Sequence, residues 1–243
     1  MPYEPMQRPQ SPLLSIVVPA LNECGTLAGV LDALLALRLG AEIIVIDDGS
    51  SDDTGVVAER YSKRYASVTC IRHASRQGKG AGILDALAVA HGRYFAVQDA
   101  DLEYDPADIP ACLQHMRTES LDALYGSRFM KDNPTAYPLF YWGNKAVSAW
   151  ASMLTGVKIT DAYTGRKLYR TAFMRGLALS QKDFAIEAEM AVKTALAARH
   201  GAKFAETPIG YKPRKISDGK KIRPQDGLSA FWLSLAYRFN WIK

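Results

Sequence analysis

Cysteine and histidine are both scarce in this chain of 243 residues. Three widely spaced cysteines, none of them in a C-x-x-C pair, form neither a disulfide framework nor a zinc site, which is typical of a reducing compartment. They are Cys24, Cys70 and Cys112. The histidines show no ligand spacing either, so we expect neither a catalytic nor a metal-binding histidine. They are His73, His91, His115 and His200.

Long apolar runs are also missing. No stretch reaches the roughly 18–20 apolar residues that a membrane-spanning helix needs, and no signal-peptide pattern opens the chain. The first 12 residues hold four prolines, which predicts a disordered leader over 1–12. We therefore expect a protein that is soluble or bound to the surface of a membrane.

Charge is unevenly distributed along the chain. The whole sequence carries a formal net charge of +5, yet the segment from Lys203 to the end alone holds nine Lys and Arg residues against three Asp and Glu residues. A basic C-terminal segment favours an anionic partner, such as a phosphate ligand, an anionic membrane or a nucleic acid. The 48% of hydrophobic residues is enough for a sizeable core.

Short apolar runs alternate with helical patterns, which predicts an α/β fold with a mainly parallel sheet flanked by helices. The predicted strands cover 13–19, 42–46, 68–72, 94–98, 123–126 and 204–209. The predicted helices cover 22–39, a segment ending near 65, 78–92, 106–118, 138–155 and 184–199. We place the main domain at 13–226 and a C-terminal amphipathic segment at 227–243, helical over 228–241.

Polar side chains follow three of these strands, at 22–23, at 47–48 and at the pair Asp99 and Asp101. Open α/β sheets bind ligands at the carboxyl ends of their strands, so we expect these segments to meet in one cleft. Asp99 and Asp101 share one side of their strand. Two such carboxylates suit Mg²⁺ or Mn²⁺, which can hold a diphosphate. The alternative is a solvated acidic turn that caps the next helix.

Ordered motifs along the chain resemble those of one enzyme family. They are VVPALNE at 17–23, DDGSSDDT at 47–54, GKG at 78–80, DADL at 99–102, GSR at 126–128, TDAYTG at 160–165, FAIEAE at 184–189, and YKPR at 211–214 with DGKKI at 218–222. The set resembles the family 2 glycosyltransferases with a GT-A (Rossmann-like) fold, and within them the dolichol- and polyprenyl-phosphate mannose synthases. The sequence departs from that group at Gly165-Arg166, where Gly-Phe is usual, and at Glu103, where the best-known synthases carry Gln.

The resemblance implies a donor site, a metal site and an acceptor site. Mg²⁺ or Mn²⁺ would be held by Asp99, Asp101 and Glu103. The nucleotide sugar would be bound by Pro19, Ala20, Asn22, Glu23, Asp47, Asp48, Lys79, Asp99, Ala100, Asp101, Arg214 and Lys220. The acceptor phosphate would be bound by Arg128 and Lys145. The catalytic residues implied are Asp101, Arg128, Arg214 and Lys220.

The implied reaction is an inverting transfer of a hexose, mannose from GDP-mannose above all, to a polyprenyl or dolichyl phosphate. A phosphate is already ionised near neutral pH, so no general base is required. One alternative is UDP-glucose as donor, with polyprenyl phosphate or a sugar or protein hydroxyl as acceptor. A hydroxyl would need a base, for which Glu187 and Glu189 are candidates, unless they only complement a helix dipole. A remoter alternative is a non-enzymatic nucleic-acid-binding protein, which no RNA motif or recognition helix supports.

A lipid acceptor implies contact with a membrane, and aromatic residues on two predicted helices suit that contact. They are Trp142 and Trp150 on one helix and Phe231, Trp232, Tyr237, Phe239 and Trp241 on the other. The alternative is core packing or the interface of a homo-oligomer. We expect a cytoplasmic protein that is peripheral on the cytoplasmic face of a membrane or docked on a membrane partner, without a nucleic-acid partner.

Overall fold

The structure is a computed structural model that describes residues 12–135, 137–214 and 235–238. Within these residues seven strands form a single sheet. They are β1 (Leu14–Ala20), β2 (Glu42–Asp47), β3 (Val68–Arg72), β4 (Tyr94–Val97), β5 (Ala123–Ser127), β6 (Lys167–Arg170) and β7 (Phe204–Pro208). Most are short runs of β-branched and aromatic residues, which pack well on a pleated surface.

The sheet is mixed but mainly parallel, with the strand order β3-β2-β1-β4-β6-β5-β7. Only β6 is antiparallel to its neighbours, β4 and β5. The loops that follow β1, β2 and β4 therefore leave the sheet at one edge, where ligands bind in open α/β sheets. The predicted α/β architecture is confirmed.

Helices cover both faces of the sheet. They are α1 (Leu27–Ala36), α2 (Thr54–Arg64), α3 (Lys79–Val89), α4 (Ile109–Thr118), α5 (Pro138–Thr155), α6 (Thr171–Gly176) and α7 (Ile186–Arg199). One core lies under α1, α2 and α4, and a second lies under α3, α5, α6 and α7. Alternate residues of β2 enter the two cores, Ile43 and Val45 on one side and Ile44 and Ile46 on the other, as the period of two in a strand requires.

Strand β6 and helix α6 were not predicted. The strand reads KLYR, too short and too charged to stand out as an apolar run. Lys167 is nevertheless buried, because its ammonium group pairs with Glu187 of α7. Since β6 runs against β4 and β5, the residues just before it lie beside the carboxyl ends of those strands.

Helix α1 is shorter than predicted. It begins at Leu27 rather than at 22, because Asn22 has a left-handed backbone (φ 51°) that a helix cannot include. Pro12, the last residue of the predicted leader, is buried. Residues 235–238 are helical, whereas the rest of the predicted 228–241 helix and residues 1–11 lie outside the described residues. Within the described ranges no helix is long and apolar enough to cross a bilayer.

Candidate active site

A cleft of about 970 Å³ opens at the carboxyl ends of the strands. Glu23 follows β1, Asp48 follows β2 and Asp101 follows β4, and all three line the cleft. Pro19, Ala20 and Ala100 of the predicted nucleotide site line it as well. Three loops distant in sequence therefore meet at one edge of the sheet.

The loop after β4, residues 98–105, carries three of the eight carboxylates that line the cleft within the described residues; we call it the acidic loop. Leu102, which has a left-handed backbone (φ 60°), makes its turn, and the amide of Glu103 donates to Asp101 Oδ1 (3.0 Å). Burial, together with the charges of Asp99 and Glu103, raises the pKa of Asp101 to about 7. The surroundings of Asp101 therefore oppose its ionisation.

Arg214 lies over the acidic loop. Its guanidinium donates to both carboxylate oxygens of Glu23 (3.0 and 3.1 Å) and to Asp101 Oδ2 (3.0 Å). Its backbone amide donates to Glu103 Oε1 (2.7 Å), and Tyr211 Oη donates to Glu103 Oε2 (2.9 Å). Glu103 was predicted as a metal ligand, and both of its carboxylate oxygens are here engaged by the segment 211–214.

Cationic side chains also occupy the other two predicted metal ligands. Asp99 pairs with Lys79 (2.9 Å) and Asp101 with Arg214 (3.0 Å). In the described part of the chain, no three His, Cys, Asp or Glu side chains are gathered as a ready-made metal site. The raised pKa of Asp101 and the position of both carboxylates on the cleft wall fit a divalent cation, provided that the two cationic side chains yield to it.

Lys79 begins a chain of charges that runs from the cleft wall into the core. Its ammonium contacts Asp99 Oδ1 (2.9 Å) and Glu187 Oε1 (2.8 Å), and Glu187 Oε2 pairs in turn with Lys167. Burial opposes ionisation of Glu187, but the two lysines outweigh it and lower its pKa to about 2. Glu189 accepts from the amides of residues 180 and 181 (2.8–3.0 Å) and pairs with Lys193. Neither glutamate has the environment of a general base, which needs a pKa near the working pH.

Asp48 holds the loop that leads to Lys79. Its carboxylate accepts from the amides of Gln77 (2.7 Å) and Gly78 (2.8 Å). His73 lies between this carboxylate (2.7 Å) and that of Asp85 (3.0 Å). Burial disfavours the charged imidazole, yet these two carboxylates raise the pKa of His73 above its usual value. Nothing in the spacing of the histidines pointed to this role.

Two predicted nucleotide-binding residues turn away from the cleft. The Asp47 carboxylate is fully buried, contacts Arg72 (3.1 Å) and accepts from the amide of Ser50 (3.0 Å). Asn22 Oδ1 accepts from the amide of Ser51 (2.9 Å). Neither residue is part of the cleft wall, as far as the described residues define it. Both instead shape the turn between β2 and α2.

Arg128 also lines the cleft, and its guanidinium lies 5.1 Å from the ring of Tyr211, the residue whose hydroxyl donates to Glu103. Its side chain is 11% exposed and makes a two-point contact with the fully buried Asp161 (both 2.8 Å). Asp161 belongs to the TDAYTG motif, and no role was predicted for it. Lys145, the other predicted phosphate ligand, lies 4.7–5.5 Å from three ring centroids and is absent from the cleft wall formed by described residues. Lys220 lies outside the described residues.

Aromatic side chains line the cleft as well. Those around the start of α5 are Phe129, Tyr137, Phe140 and Tyr141, which we call the aromatic wall, whereas the Phe184 ring lies 5.9 Å from the Lys79 ammonium. Two residues of α5 project into solvent, Leu139 (75% exposed) and Trp142 (65%). The cleft therefore combines ionic and aromatic walls.

Comparison with known proteins agrees with this arrangement. Residues 15–180 match the model of the family described as "Glycosyl transferase family 2". The chain belongs to that family. It is similar to the undecaprenyl-phosphate mannosyltransferase of Micrococcus luteus, with 26% identity over 84% of this chain and 85% of the relative. It is also similar to the dodecaprenyl-phosphate galacturonate synthase of Rhizobium johnstonii, with 31% identity over 70% of this chain and only 51% of the relative.

Solved structures are similar as well. Glucosyl-3-phosphoglycerate synthase of Mycobacterium tuberculosis, in a complex with Mn²⁺, UDP and glucosyl-3-phosphoglycerate, has a TM-score of 0.65 at 21% identity, covering 93% of this chain and 79% of that one. Mannosyl-3-phosphoglycerate synthase of Rubrobacter xylanophilus has a TM-score of 0.68 at 17% identity, with 93% and 72% covered. These likenesses establish the predicted GT-A fold for this family member.

Proposed function

We propose that this family 2 glycosyltransferase moves a hexose from a nucleoside diphosphate sugar to a polyprenyl or dolichyl phosphate, with inversion at the anomeric carbon. GDP-mannose is the donor we favour. The observation that carries the proposal is a single cleft lined by the acidic loop, Arg214, Arg128 and the aromatic wall. We assign the acidic loop and Arg214 to a sugar diphosphate, as the donor end, and Arg128 with the aromatic wall to the phosphate and first isoprene units of a lipid, as the acceptor end.

The donor end has the charges that a diphosphate leaving group needs. Asp99 and Asp101 would hold Mg²⁺ or Mn²⁺, which when bound supplies positive charge to the departing diphosphate. Arg214 and Lys79 now neutralise these two aspartates. Once a cation takes over that role, both side chains become available to phosphate oxygens, and an arginine can then bind them through two parallel hydrogen bonds.

The acceptor end needs no base. In the proposed step a phosphate oxygen attacks the anomeric carbon while the bond from that carbon to the diphosphate breaks. The attacking oxygen is already ionised at neutral pH, and catalysis rests on positioning and on charge stabilisation. The engagement of Glu187 by two lysines supports a phosphate acceptor over a hydroxyl acceptor.

We also propose that the enzyme binds to the cytoplasmic face of a membrane. Leu139 and Trp142 project into solvent from the helix that carries part of the aromatic wall, where a lipid tail would leave the cleft. The Lys145 ammonium lies over the Tyr141 ring (4.7 Å), and such a cation suits anionic headgroups. A lipid phosphate could then enter the cleft while its tail remains in the bilayer.

A UDP-sugar donor is the second candidate. It is favoured by the structural neighbour that is described with UDP. Both candidates share the same acceptor chemistry and the same cleft. They differ in the nucleobase and hexose contacts, which the loops at 20–23 and 48–50 would make.

The test is a transfer assay with labelled GDP-mannose, UDP-glucose and UDP-galacturonate, each with a polyprenyl phosphate and Mn²⁺ or Mg²⁺. We expect label from one donor to pass into organic solvent as a lipid-linked sugar, and EDTA to abolish the transfer. Asp101→Asn should be inactive, whereas Asp32→Asn on α1, where the carboxylate only accepts from Tyr61 Oη (2.7 Å), should retain activity. Transfer to a free sugar or a protein but not to the lipid would refute the proposed acceptor.

A further inference from the structure

We propose that Arg166 is a positioning residue that clamps both ends of the acidic loop and thereby sets the spacing of its carboxylates. The inference rests on the proposed function in one respect, namely that these carboxylates serve the donor. Arg166 itself is fully buried and is not part of the cleft wall formed by the described residues. It therefore acts on the site only through the loop.

The contacts of Arg166 reach the two points where the acidic loop starts and ends. Its Nη2 donates to Gln98 Oε1 (2.7 Å) and to the carbonyl oxygen of Asp105 (3.1 Å). Its Nη1 is 3.5 Å from the carbonyl oxygen of Val97. One rigid guanidinium plane thus joins positions on both sides of Asp99 and Asp101.

Gln98 adds a second link across the loop. Its Nε2 donates to the carbonyl oxygens of Asp99 (2.9 Å) and Tyr104 (3.1 Å). Since Gln98 Oε1 accepts from Arg166, the amide is oriented by the guanidinium. Arg166 and Gln98 together fasten the neck of the loop at both ends.

Burying the charged guanidinium of Arg166 would be unfavourable without these hydrogen bonds. Among the described residues its acceptors are carbonyl and amide oxygens rather than carboxylates, and its Nε has no hydrogen-bond partner. An arginine stays charged in proteins, and a buried charge must be compensated by hydrogen bonds. Here the compensating groups are almost all oxygens of the acidic loop and its immediate flanks.

The neighbouring glycine brings this wall close to the carboxylates. A Cβ at Gly165 would lie 2.1 Å from Asp99 Oδ2 and 2.8 Å from the Tyr104 ring, and the Gly165 amide donates to Tyr104 Oη (2.9 Å). Residues 165–166 therefore press directly against the acidic loop. A change of side chain here is transmitted to Asp99 without any intervening layer.

The experiment compares Arg166→Met and Arg166→Lys with the wild type by two readouts that do not need turnover. The first readout is Mn²⁺ binding in the presence of GDP or UDP, measured from the EPR signal of the Mn²⁺ that remains free. The other is amide hydrogen exchange in peptides that cover residues 98–105. Arg175→Met is the matched control, because the Arg175 guanidinium also donates to two carbonyl oxygens (3.0 and 2.7 Å), but to those of Leu87 and Ala90 at the end of α3 rather than to the loop.

We expect Arg166→Met to weaken Mn²⁺ binding by about 10- to 100-fold, the usual effect of removing an outer partner of metal ligands. Exchange in 98–105 should become faster, while Arg175→Met changes neither readout. Arg166→Lys keeps the charge but cannot bridge both ends, so it should give an intermediate result. If Arg166→Met does not fold, Arg166→Lys tests the clamp by the same two readouts.

Unchanged exchange in 98–105 in a folded Arg166 variant would overturn the clamp. If the wild type binds no Mn²⁺ with either nucleotide, the proposed metal role of the carboxylates fails instead. The exchange measurement still tests the clamp in that case, because it depends only on the loop and not on a ligand.

Discussion

Replacing Asp101 by Asn should make the metal-free protein more stable at neutral pH while abolishing its function. Burial and the carboxylates of Asp99 and Glu103 raise the pKa of Asp101 to about 7, whereas an aspartate in an unfolded chain has a pKa of about 3.9. The native state therefore binds this proton more tightly than the unfolded state does. Keeping the carboxylate ionised at pH 8 costs about 4 kcal/mol of folding free energy.

That figure already includes the contact with Arg214, because the ion pair lowers the pKa of Asp101 while burial and the neighbouring carboxylates raise it by more. Arg214 keeps its two hydrogen bonds to Glu23 in the variant. The gain at pH 8 should then be up to about 4 kcal/mol, which corresponds to a rise in Tm of up to about 8–16 °C for a chain of this size.

The sign of the pH dependence identifies the cause. The stability associated with a carboxyl of raised pKa is present below the unfolded pKa and is lost as the pH rises towards the folded one. The advantage of Asp101→Asn should therefore grow between about pH 4 and pH 7 and be small at pH 5. Thermal unfolding in EDTA at pH 5, 6, 7 and 8 measures it, and Mn²⁺ with nucleoside diphosphate should then raise the Tm of the wild type alone.

Asp105→Asn is the matched control for this measurement. Its Oδ1 accepts from the amide of Ala107 (3.0 Å), the same local turn that Asp101 makes with Glu103, but the residue is exposed. We expect no pH-dependent gain from it. If Asp101→Asn lowers Tm equally at pH 5 and pH 8, the carboxylate is not destabilised by its neighbours and the reasoning is wrong.

Three further outcomes follow from other contacts. Glu187→Gln leaves the buried Lys167 without its counter-ion and takes one of two carboxylate partners from Lys79, so it should cost about 3–5 kcal/mol in urea unfolding. An unchanged midpoint would contradict the chain of charges. Gly165→Ala places a Cβ 2.1 Å from Asp99 Oδ2, so Mn²⁺ titration should show weaker binding while the far-UV circular dichroism stays native. His73→Gln should flatten the dependence of the unfolding free energy on pH above about pH 6.5. The charged His73 stabilises the fold at low pH, and this contribution is lost as the pH rises through the raised pKa of His73. A pH dependence parallel to that of the wild type would argue against the contacts of His73 with its two carboxylates.

Local pattern was sufficient for most of the sheet and helices. Strand β3 (Val68–Arg72) and helix α5 (Pro138–Thr155) have the predicted bounds. The β-branched residues of the first favour a strand, and the second begins at a proline and ends before Gly156, whose left-handed backbone (φ 72°) stops a helix. Strand β6 was missed because the burial of Lys167 depends on Glu187, 20 residues away. A lysine that is buried by a distant partner has no local signature.

The candidate site also has features that the sequence predicted and features that it did not. The gathering of Glu23, Asp48 and Asp101 was predictable, because parallel strands place their carboxyl ends at one edge. The sequence did not predict which of the adjacent Asp47 and Asp48 faces the cleft. In the structure Asp47 turns inward and contacts Arg72 (3.1 Å). Polar residues after a strand predict which loop lines the cleft, but the conformation of the turn decides which side chain enters it.

From its sequence alone, most of this chain's succession of strands and helices could be worked out, all but β6 and α6, because the patterns involved lie close together in the chain. The same holds for its family motifs and for the edge at which its acidic residues meet. Only the tertiary structure decided their partners. Arg214 pairs with Asp101 across 113 positions, and Arg166 reaches Gln98 across 68. Such contacts depend on how distant segments pack, and nothing in the local pattern of either residue specifies the other.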